Sequence, residues 1–420
     1  MSDTATLPYL TEDLPGVGGT IKQRPEDFRV VELPLYPPSG EGTHTYLGLR
    51  KRGVATRAAI DRVARVVGRK PAAFGAAGLK DAQAVADQTI SVEHLTDEQR
   101  RVLDGYRDDA VEVLWIARHT NKLKRGHLAG NRFDLRIRDV GDDALAAARA
   151  VADVLRRRGV PNYFGRQRFG SRGDNGRLGA AAVAGRLEEF VQVLLGEPRE
   201  TDPPKAREAR ALFEEGRLEE ALDAWPRADR NGRTALRALI RTGGAAKAAF
   251  AAVDTFLKRF AVSALQSDLF NRVVAARIDT LDRVFTGDLA KKTDSGGVFP
   301  VEDEPAERPR AARGEISPTG PLFGYRAPLA TGEPGRIEAA VLAEAGLTAE
   351  DWRRAGAHKV KGTRRPLRFL PGDLAVTAES DDAGPCLRVQ VSAPPGSYAT
   401  VVLREMMKPQ NGDDPRSNEG

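Results

Sequence analysis

The chain has 420 residues, of which 41% are hydrophobic and 30% charged, and its net charge is +6, so it is typical of a globular protein of two or three domains. No run of about 18 apolar residues predicts a membrane span, and the polar start M-S-D-T-A-T is unlike a signal peptide, so we expect a cytoplasmic protein without membrane contact. The single cysteine excludes an internal disulfide, and with five scattered histidines it argues against a zinc site, so we expect no metal.

The first 160 residues show strand and helix periodicities in alternation. Residues 1–20 are expected to form a loosely ordered arm. Thr56 is a plausible cap for the first helix, and Gly68 is its expected stop. The predicted elements of this part are strands at 28–33, 43–50, 88–92, 111–118 and 132–140 and helices at 56–68 and 142–158.

From residue 160 onward the composition changes to a structured Gly-rich loop, followed by helical patterns over residues 205–285. Residues 293–321 are rich in Pro, Gly and acidic residues and form a long excursion without a predicted element. Strand patterns return at 372–379 and 386–392, a short helix follows, and a disordered tail is expected. The pattern indicates one α/β domain, residues 1–160 and 371–408, interrupted by an insertion at 161–370 and followed by the tail at 409–420. The two outer segments must therefore meet in space.

The stretch A-G-L-K-D at residues 77–81 comes just before one of the predicted strands. Gly78 permits a backbone conformation closed to other residues, which would push the following residues out of the strand end. An ammonium close to Asp81 would keep its carboxylate ionised, ready to act as a nucleophile or base. The alternative on these residues alone is a surface turn capped by Asp81.

Two segments carry most of the positive charge. Residues 118–138 contain seven Lys or Arg and one acidic residue, and so do residues 156–177, so each has a net charge of +6. Aromatic residues lie inside both segments. This combination is what binding a phosphate backbone and stacking a base requires, although either segment alone could be a solvated basic face.

Four stretches in this order resemble the TruD family of tRNA pseudouridine synthases, over about residues 21–408. They are A-G-L-K-D at 77–81, R-H-T-N-K-L-K-R-G-H-L-A-G-N-R-F at 118–133, P-N-Y-F-G-R-Q-R-F-G at 161–170 and P-P-G-S-Y-A-T-V-V-L-R-E at 394–405. The resemblance implies an α/β (α+β) fold. Its catalytic domain would be of the pseudouridine synthase type, with a mixed or antiparallel sheet, interrupted by a largely helical TRUD-type insertion domain.

The resemblance also implies roles for individual residues. Asp81 matches the family's catalytic aspartate, which attacks or deprotonates the target ribose while the bond to the uracil breaks. Phe28, Asn131 and Tyr398 match the family's substrate contacts, and Phe133, Lys22 and Lys80 are further candidates for substrate binding. These residue types suit the task, since an amide can pair with the uracil edge and aromatic rings can enclose a flipped base. Phenylalanine also occurs in the family at the position of Tyr398, which leaves the stacking role intact.

Each of these residues also has a structural interpretation. Phe28 and Phe133 lie in predicted strands, where an aromatic is by default part of the core. Asn131 could take a left-handed turn conformation after Gly130, and Tyr398 could be a turn aromatic. Lys22 and Lys80 are both candidates to pair with Asp81, and either could instead be a surface lysine.

We expect the remaining site residues to contact the RNA backbone or to support the site. Asn162 and Gln167 are expected to support the active site from behind. The predicted phosphate contacts are Lys122, Lys124, Arg125, Arg166, Arg168 and Arg172.

By resemblance the expected activity is isomerisation of a tRNA uridine, at position 13 of the D-arm, to pseudouridine, with tRNA as the partner, no cofactor and no obligate protein partner. The competing hypotheses are a non-catalytic RNA-binding module or tRNA folding chaperone on the same scaffold, and a protein-interaction scaffold built on the helical middle. The intact G-L-K-D argues against the module, and the two basic segments are unexplained by the scaffold.

Overall fold

The computed structural model describes residues 7–354 and 360–408, and the predicted disordered tail at 409–420 therefore lies outside the described residues. The chain divides into two compact units. We call Tyr9–Val160 with Phe369–Gly420 the sheet unit, and Met1–Pro8 with Pro161–Arg368 the helical unit.

One mixed sheet of eight strands dominates the sheet unit. In chain order the strands are β1 (Phe28–Pro34), β2 (His44–Arg52), β3 (Gly75–Ala76), β4 (Val85–Glu93), β5 (Val111–His119), β6 (Leu128–Arg138), β13 (Gly372–Asp381) and β14 (Gly384–Ala393). They are ordered β13-β14-β6-β1-β4-β2-β5, with β3 paired to β4. β1 and β4 are parallel, and the other pairs are antiparallel. The sheet is mixed, as the expected fold class requires.

The two outer segments of the chain meet inside this sheet. β14 pairs with β6 from Cys386 opposite Arg138 to Ala393 opposite Asn131. The two outer segments therefore contribute neighbouring strands to one sheet. β1, which carries Phe28, pairs with the other edge of β6.

Four α-helices accompany the sheet, among the described residues of this unit: α1 (Thr56–Val66), α2 (Asp97–Leu103), α3 (Ala144–Arg158) and α14 (Ala399–Met407). α1 buries Ala59, Val63 and Ala64 against Leu47 and Leu49 of β2. Fully burying a Val or Leu side chain contributes about 1.5–3 kcal/mol. The apolar face predicted from the helical periodicity is therefore the face that attaches α1 to the sheet.

Thr56 does not cap α1 as predicted. Ala55 occupies the N-cap position, and Thr56 is the first helical residue. Its hydroxyl donates to Gln88 Oε1 at 3.0 Å and accepts from the backbone N–H of Lys80 at 2.8 Å. Because the hydroxyl is buried, it is satisfied by these tertiary partners, and it ties the helix to the loop that carries Asp81.

The prediction of a loosely ordered N-terminal arm is wrong for residues 7–20. Glu405 on α14 is fully buried, and its carboxylate accepts hydrogen bonds from the backbone N–H groups of Leu10 and Thr11 at 3.2 and 3.1 Å. The Thr11 hydroxyl adds a third at 2.8 Å. A buried carboxylate must be satisfied by donors, and this need fixes the segment that supplies them.

The helical unit contains ten further α-helices among its described residues, and a small sheet. The helices are α4 (Asn175–Ala184), α5 (Leu187–Leu195), α6 (Pro204–Glu214), α7 (Leu218–Ala224), α8 (Arg230–Thr242), α9 (Ala246–Ala252), α10 (Thr255–Ala276), α11 (Glu304–Ala312), α12 (Gly332–Glu344), with a short α13 (Ala349–Arg354) as a tenth. The strands β8 (Leu289–Lys292), β9 (Val298–Pro300), β10 (Ile316–Leu322) and β11 (Thr363–Pro366) are ordered β11-β10-β8-β9, and a separate two-stranded sheet consists of β7 (Val160–Pro161) and β12 (Arg368–Phe369). The helices enclose a core that includes Phe190, Trp225 and Leu236.

Residues 293–321 hold regular structure that we did not predict. They contain β9, α11 and β10, and Val301, Ala311 and Ile316 form a small core there. Pro309 lies inside α11, where the expectation is a helix break. The Pro-rich composition therefore concealed these elements. No helix among the described residues is both long and apolar enough to cross a membrane.

Candidate active site

Asp81 lies in the loop between β3 and β4, and several hydrogen bonds fix that loop. Lys80 N–H donates to Thr56 Oγ1, and the Lys51 ammonium donates to the backbone carbonyl of Asp81. The N–H of Gln83 donates to Asp81 Oδ1 at 2.9 Å, which closes a local turn on the carboxylate itself. Hydrogen bonds therefore fix both the backbone and the carboxylate of Asp81, yet its side chain remains 25% exposed.

Gly78 does not supply the special backbone conformation that we predicted. Its φ is not positive, and an added Cβ would meet no atom within 4 Å. The residue with a left-handed backbone is instead Lys22, with a φ of +60°. That conformation costs a non-glycine residue roughly 1–2 kcal/mol, and such residues concentrate at functional sites.

The strained Lys22 is the partner of the Asp81 carboxylate. Its ammonium forms an ion pair with Asp81 Oδ2 and lies 4.9 Å from the centre of the Phe28 ring. Burial acts to raise the pKa of Asp81, but the hydrogen bonds from Lys22 and Gln83, together with the charges of Lys22 and Lys51, lower it further than burial raises it. The net effect is a pKa below the usual value for an aspartate, so the carboxylate is ionised at neutral pH.

Lys80 does not pair with Asp81, although it is its neighbour in sequence. Its Nζ lies 2.9 Å from Glu32 Oε2 and donates to Asn131 Oδ1 at 2.6 Å. The Lys80 and Glu32 side chains are both buried. Consecutive residues of an extended loop point in different directions, so the Lys80 ammonium reaches β1 and β6 while Asp81 faces Lys22.

The bond from Lys80 determines how Asn131 is oriented. An ammonium can only donate, so the amide oxygen must face Lys80 and the Nδ2 amine must face away. Within residues 7–354 and 360–408, no group accepts a hydrogen bond from that amide nitrogen. Asn131 lies in β6 opposite Glu32, and its φ is not positive, so the left-handed turn interpretation is wrong. Two amide N–H donors are thereby available to a ligand.

The aromatic residues differ in exposure. Phe28 and Phe133 are both buried, and their rings make an edge-to-face contact with centroids 6.1 Å apart. Phe28 thus packs between Phe133 and the Lys22 ammonium, beside Asp81. Tyr398 is half-buried at the residue that precedes α14. Burial is consistent with core packing of the two phenylalanines, and their position beside Lys22 is consistent with a wall of the site.

Sequence reasoning missed two residues of this cluster, Lys51 and Glu32. Both follow two apolar residues at alternate positions of a strand: Leu47 and Leu49 precede Lys51, and Phe28 and Val30 precede Glu32. Alternate residues of a strand face the same side, so a charge that continues a buried alternation is itself buried. This signal was present in the sequence.

Lys51 differs from the other lysines of the cluster because it has no carboxylate partner. It is fully buried, and in the part of the chain that the structure describes no carboxylate oxygen lies within 4 Å of its ammonium. Burial lowers the pKa of Lys51 to about 8, the Asp81 charge opposes that shift, and the Lys80 charge adds to it. The contact that compensates its burial is the carbonyl of Asp81.

Three predicted phosphate contacts lie on the loop between β5 and β6. Lys124 and Arg125 are exposed, and Lys122 is half-buried. The N–H of Gly126 in this loop donates to the carbonyl of Ala77 at 2.8 Å, at the start of the A-G-L-K-D stretch. The structure thus brings these three cations next to the loop of Asp81.

The other predicted contacts lie in the helical unit, and the partners of Arg168 and Arg172 are groups of that unit. Arg168 donates to the Ser263 and Ser267 hydroxyls of α10 at 2.8 and 3.3 Å. Arg172 forms ion pairs with Asp174 and Asp202 and donates to the Glu197 carbonyl at 2.8 Å, which occupies all three of its nitrogens. These contacts favour structural roles. Arg166 is exposed.

Of the two predicted supporting residues, Asn162 has extensive contacts and Gln167 is exposed. Asn162 Nδ2 donates to the Pro366 carbonyl at 3.0 Å, and its Oδ1 accepts from Arg365 at 2.5 Å. The Arg365 guanidinium in turn lies 4.2 Å from the centre of the Phe164 ring. Asn162 therefore holds two distant segments of the helical unit together.

Comparison with known proteins identifies close relatives over almost the whole chain. A family model described as tRNA pseudouridine synthase D (TruD) matches residues 5–406. Proteins named tRNA pseudouridine synthase D from Syntrophotalea carbinolica and Geobacter sulfurreducens are each 44% identical, over 95% and 96% of this chain and 98% of their own length. A crystal structure from Methanosarcina mazei described by the same family name is 28% identical, with a TM-score of 0.84 over 98% of this chain and 97% of that one.

Proposed function

The chain belongs to the TruD family of tRNA pseudouridine synthases, and we propose that Asp81 is the residue with which it isomerises uridine in tRNA. The observation that carries this assignment is the state of the Asp81 carboxylate: it is ion-paired to Lys22, its pKa is lowered, and it remains a quarter exposed. A carboxylate that only stabilised the fold would not need a second lysine on its own backbone carbonyl.

The reaction is an isomerisation, so no oxidant and no second substrate enter it. The bond between uracil N1 and ribose C1′ breaks, the detached base turns, and a bond forms between C5 and C1′. The proton on C5 is lost and N1 gains one, so atoms and charge balance. Asp81 either attacks the ribose or removes a ribose proton during the first step, and both roles require the ionised form. The low pKa supplies that form at neutral pH.

The surrounding residues have distinct tasks in this proposal. Lys22 orients the carboxylate, and Lys51 is a positioning residue that fixes the Asp81 backbone. Asn131, with its amine turned outward by Lys80, donates to a uracil carbonyl and retains the base while it is detached. Phe28 and Tyr398 are proposed to enclose the base, with Phe133 behind Phe28.

We further propose the following arrangement for the whole molecule. The sheet unit is the catalytic domain, and Pro161–Arg368 is the insertion domain. Lys122, Lys124 and Arg125 contact phosphates close to the target, and Arg166 of the insertion contacts a phosphate of the same RNA. The substrate is cytoplasmic tRNA, which places the protein in the cytoplasm, and the expected target is the uridine at position 13 of the D-arm.

The test is chemical mapping of pseudouridine in all RNAs of cells that contain or lack the protein, followed by incubation of purified protein with unmodified tRNA. We expect one tRNA position to change, in vivo and in vitro. Modification at a uridine outside the D-arm would correct the target alone. If no RNA changes in either experiment, the assignment of Asp81 to a reaction is wrong.

A further inference from the structure

α8 (Arg230–Thr242) presents a row of arginines along one face. Successive helical residues are separated by about 100°, so Arg230, Arg237 and Arg241 lie within about 40° of one another. The three arginines are exposed, whereas the opposite face, including Leu236 and Leu239, is buried in the core of the helical unit. From Arg230 to Arg241 the helix rises by eleven steps of about 1.5 Å, so the row is roughly 16 Å long. We call Arg230, Arg237 and Arg241 the α8 row.

No arginine of the α8 row forms an ion pair with any described residue. Its helix contains four arginines and no acidic residue, and the described residues include no carboxylate within 4 Å of any arginine of the row. The fourth arginine, Arg233, is used internally, donating to the carbonyls of Leu222 and Trp225 at 2.9 Å. Like charges four residues apart destabilise a helix by about 0.2–0.5 kcal/mol per pair. Within the described residues, no ion pair offsets this cost.

Some other exposed arginines of the same unit are paired, whereas others, such as Arg227 and Arg259, have no ion pair among the described residues. Arg217 lies between Glu215 and Glu220, Arg308 pairs with Glu304, and Arg313 pairs with Glu315. They match the α8 row in residue type and exposure, so exposure alone does not leave an arginine without a partner in this unit.

An exposed aromatic residue lies at the N-terminal end of the α8 row. Asp254 N–H donates to the side chain of Asn231 at 2.9 Å, so the start of α10 lies beside the start of α8. Phe256, in the first turn of α10, is 75% exposed and stacks parallel to Phe260 with centroids 6.1 Å apart. Unpaired cations next to an exposed aromatic face match what RNA offers, namely phosphates and bases.

We propose that the α8 row, with Phe256 at its end, binds the phosphate backbone of the tRNA substrate at a surface that none of the family motifs includes. This proposal rests on the proposed function for the identity of its RNA. A guanidinium can hold a phosphate with two parallel hydrogen bonds, and a rigid helix keeps three of them in a line. A regular row of this length matches a phosphate backbone, because a backbone repeats the same charge along its length.

The experiment compares two triple variants with equal loss of charge. One is Arg230→Gln, Arg237→Gln, Arg241→Gln, and the control is Arg217→Gln, Arg308→Gln, Arg313→Gln. Glutamine has nearly the helix propensity of arginine, so both variants should fold. Binding of unmodified tRNA is measured over a range of salt concentrations, and pseudouridine formation is measured at saturating tRNA.

For the α8 variant we expect the Kd for tRNA to rise about tenfold or more at low salt. The slope of log Kd against log salt should become shallower by about two to three, because each lost phosphate contact removes roughly 0.7–0.9 from it. The rate at saturating tRNA should be unchanged. The control should keep the wild-type slope, and Phe256→Ala should raise Kd by a smaller factor without changing the slope.

If the two triple variants bind tRNA with the same Kd and slope, the proposal is wrong. Binding of an acidic protein to the α8 row, together with that result, would identify a different occupant. The proposed function fails separately: if the wild-type protein binds tRNA through the α8 row but forms no pseudouridine, the surface stands and the catalytic assignment does not.

Discussion

The lysines around Asp81 and the arginines of the α8 row differ in burial and in whether they have a partner within the protein. Lys22, Lys51 and Lys80 are buried, and each is bound to a particular acceptor atom. The α8 row is exposed and has no internal partner. Burying a charge is costly and requires a well-placed partner, so it fixes geometry. An exposed charge costs little and keeps its donors available, so it suits binding to a mobile polyanion that is screened by salt.

The comparison predicts different consequences of mutation in the two regions. In the buried cluster a single substitution should change the rate or the stability sharply, and its effect should depend little on salt. In the α8 row several substitutions together should change binding only, and salt should reduce the difference. Three substitutions in the buried cluster test this contrast.

The largest effect is expected for Asp81→Asn. An amide fits the same space but cannot attack or deprotonate the ribose, so the single-turnover rate should fall by about 10⁴-fold or more, with tRNA affinity within a few-fold of wild type. The matched control is Asp87→Asn, since Asp87 lies on β4 and pairs with Arg50. Undiminished pseudouridine formation by Asp81→Asn would show that another residue carries the reaction.

Lys80→Met should mainly reduce stability. It leaves the buried Glu32 carboxylate without its counter-charge, which should lower the free energy of unfolding by about 3–5 kcal/mol in a urea titration. Adding Glu32→Gln should restore part of the loss, because no buried charge is then unpaired. Arg308→Met, which breaks the exposed pair with Glu304, should cost less than about 1 kcal/mol. Equal losses for the buried and the exposed pair would contradict the comparison.

Lys51→Met should have the smallest effect on stability and a separate effect on rate. Replacing a buried ammonium that has no carboxylate partner by an apolar side chain of similar size should leave stability unchanged or raise it by about 1–2 kcal/mol. The rate should fall by about tenfold to a hundredfold, because Asp81 loses the contact that fixes its backbone. Affinity for tRNA should not change.

The pH dependence of stability separates these effects. The pKa of Lys51 is about 8 in the folded chain against 10.5 when unfolded, so between these values the unfolded state binds more protons. The stability of the wild type should therefore rise with pH through this window by an amount that Lys51→Met lacks. Lys258 is a matched control, since it is buried with its ammonium on the Ala251 carbonyl in the helical unit. Lys258→Met should have the stability of Lys51→Met but the reaction rate of the wild type. A loss of rate in both variants would contradict the positioning role of Lys51.

Several features of this protein followed from the sequence by itself. Period-two and period-3.6 patterns located β1, β2, β5, β6, α1 and α3 to within a few residues, because these periods arise from local backbone geometry. The motifs around Asp81, Asn131 and Tyr398 identified the family. The interrupted pattern also required the outer segments to meet, as β6 and β14 do. Exceptions came where composition concealed structure, as in α11 with its internal Pro309.

The partner of each charged group was decided only by the tertiary structure. Lys80 adjoins Asp81 in sequence but binds Glu32 and Asn131, while Lys22, 59 residues away from Asp81, supplies its ion pair. Thr56 anchors the loop that carries Asp81 instead of capping a helix. Secondary structure depends on neighbouring residues, so a local pattern can predict it. The partner of a side chain depends on which strands are adjacent, in which register, and on the direction of each Cβ, and those relations exist only once the chain has folded.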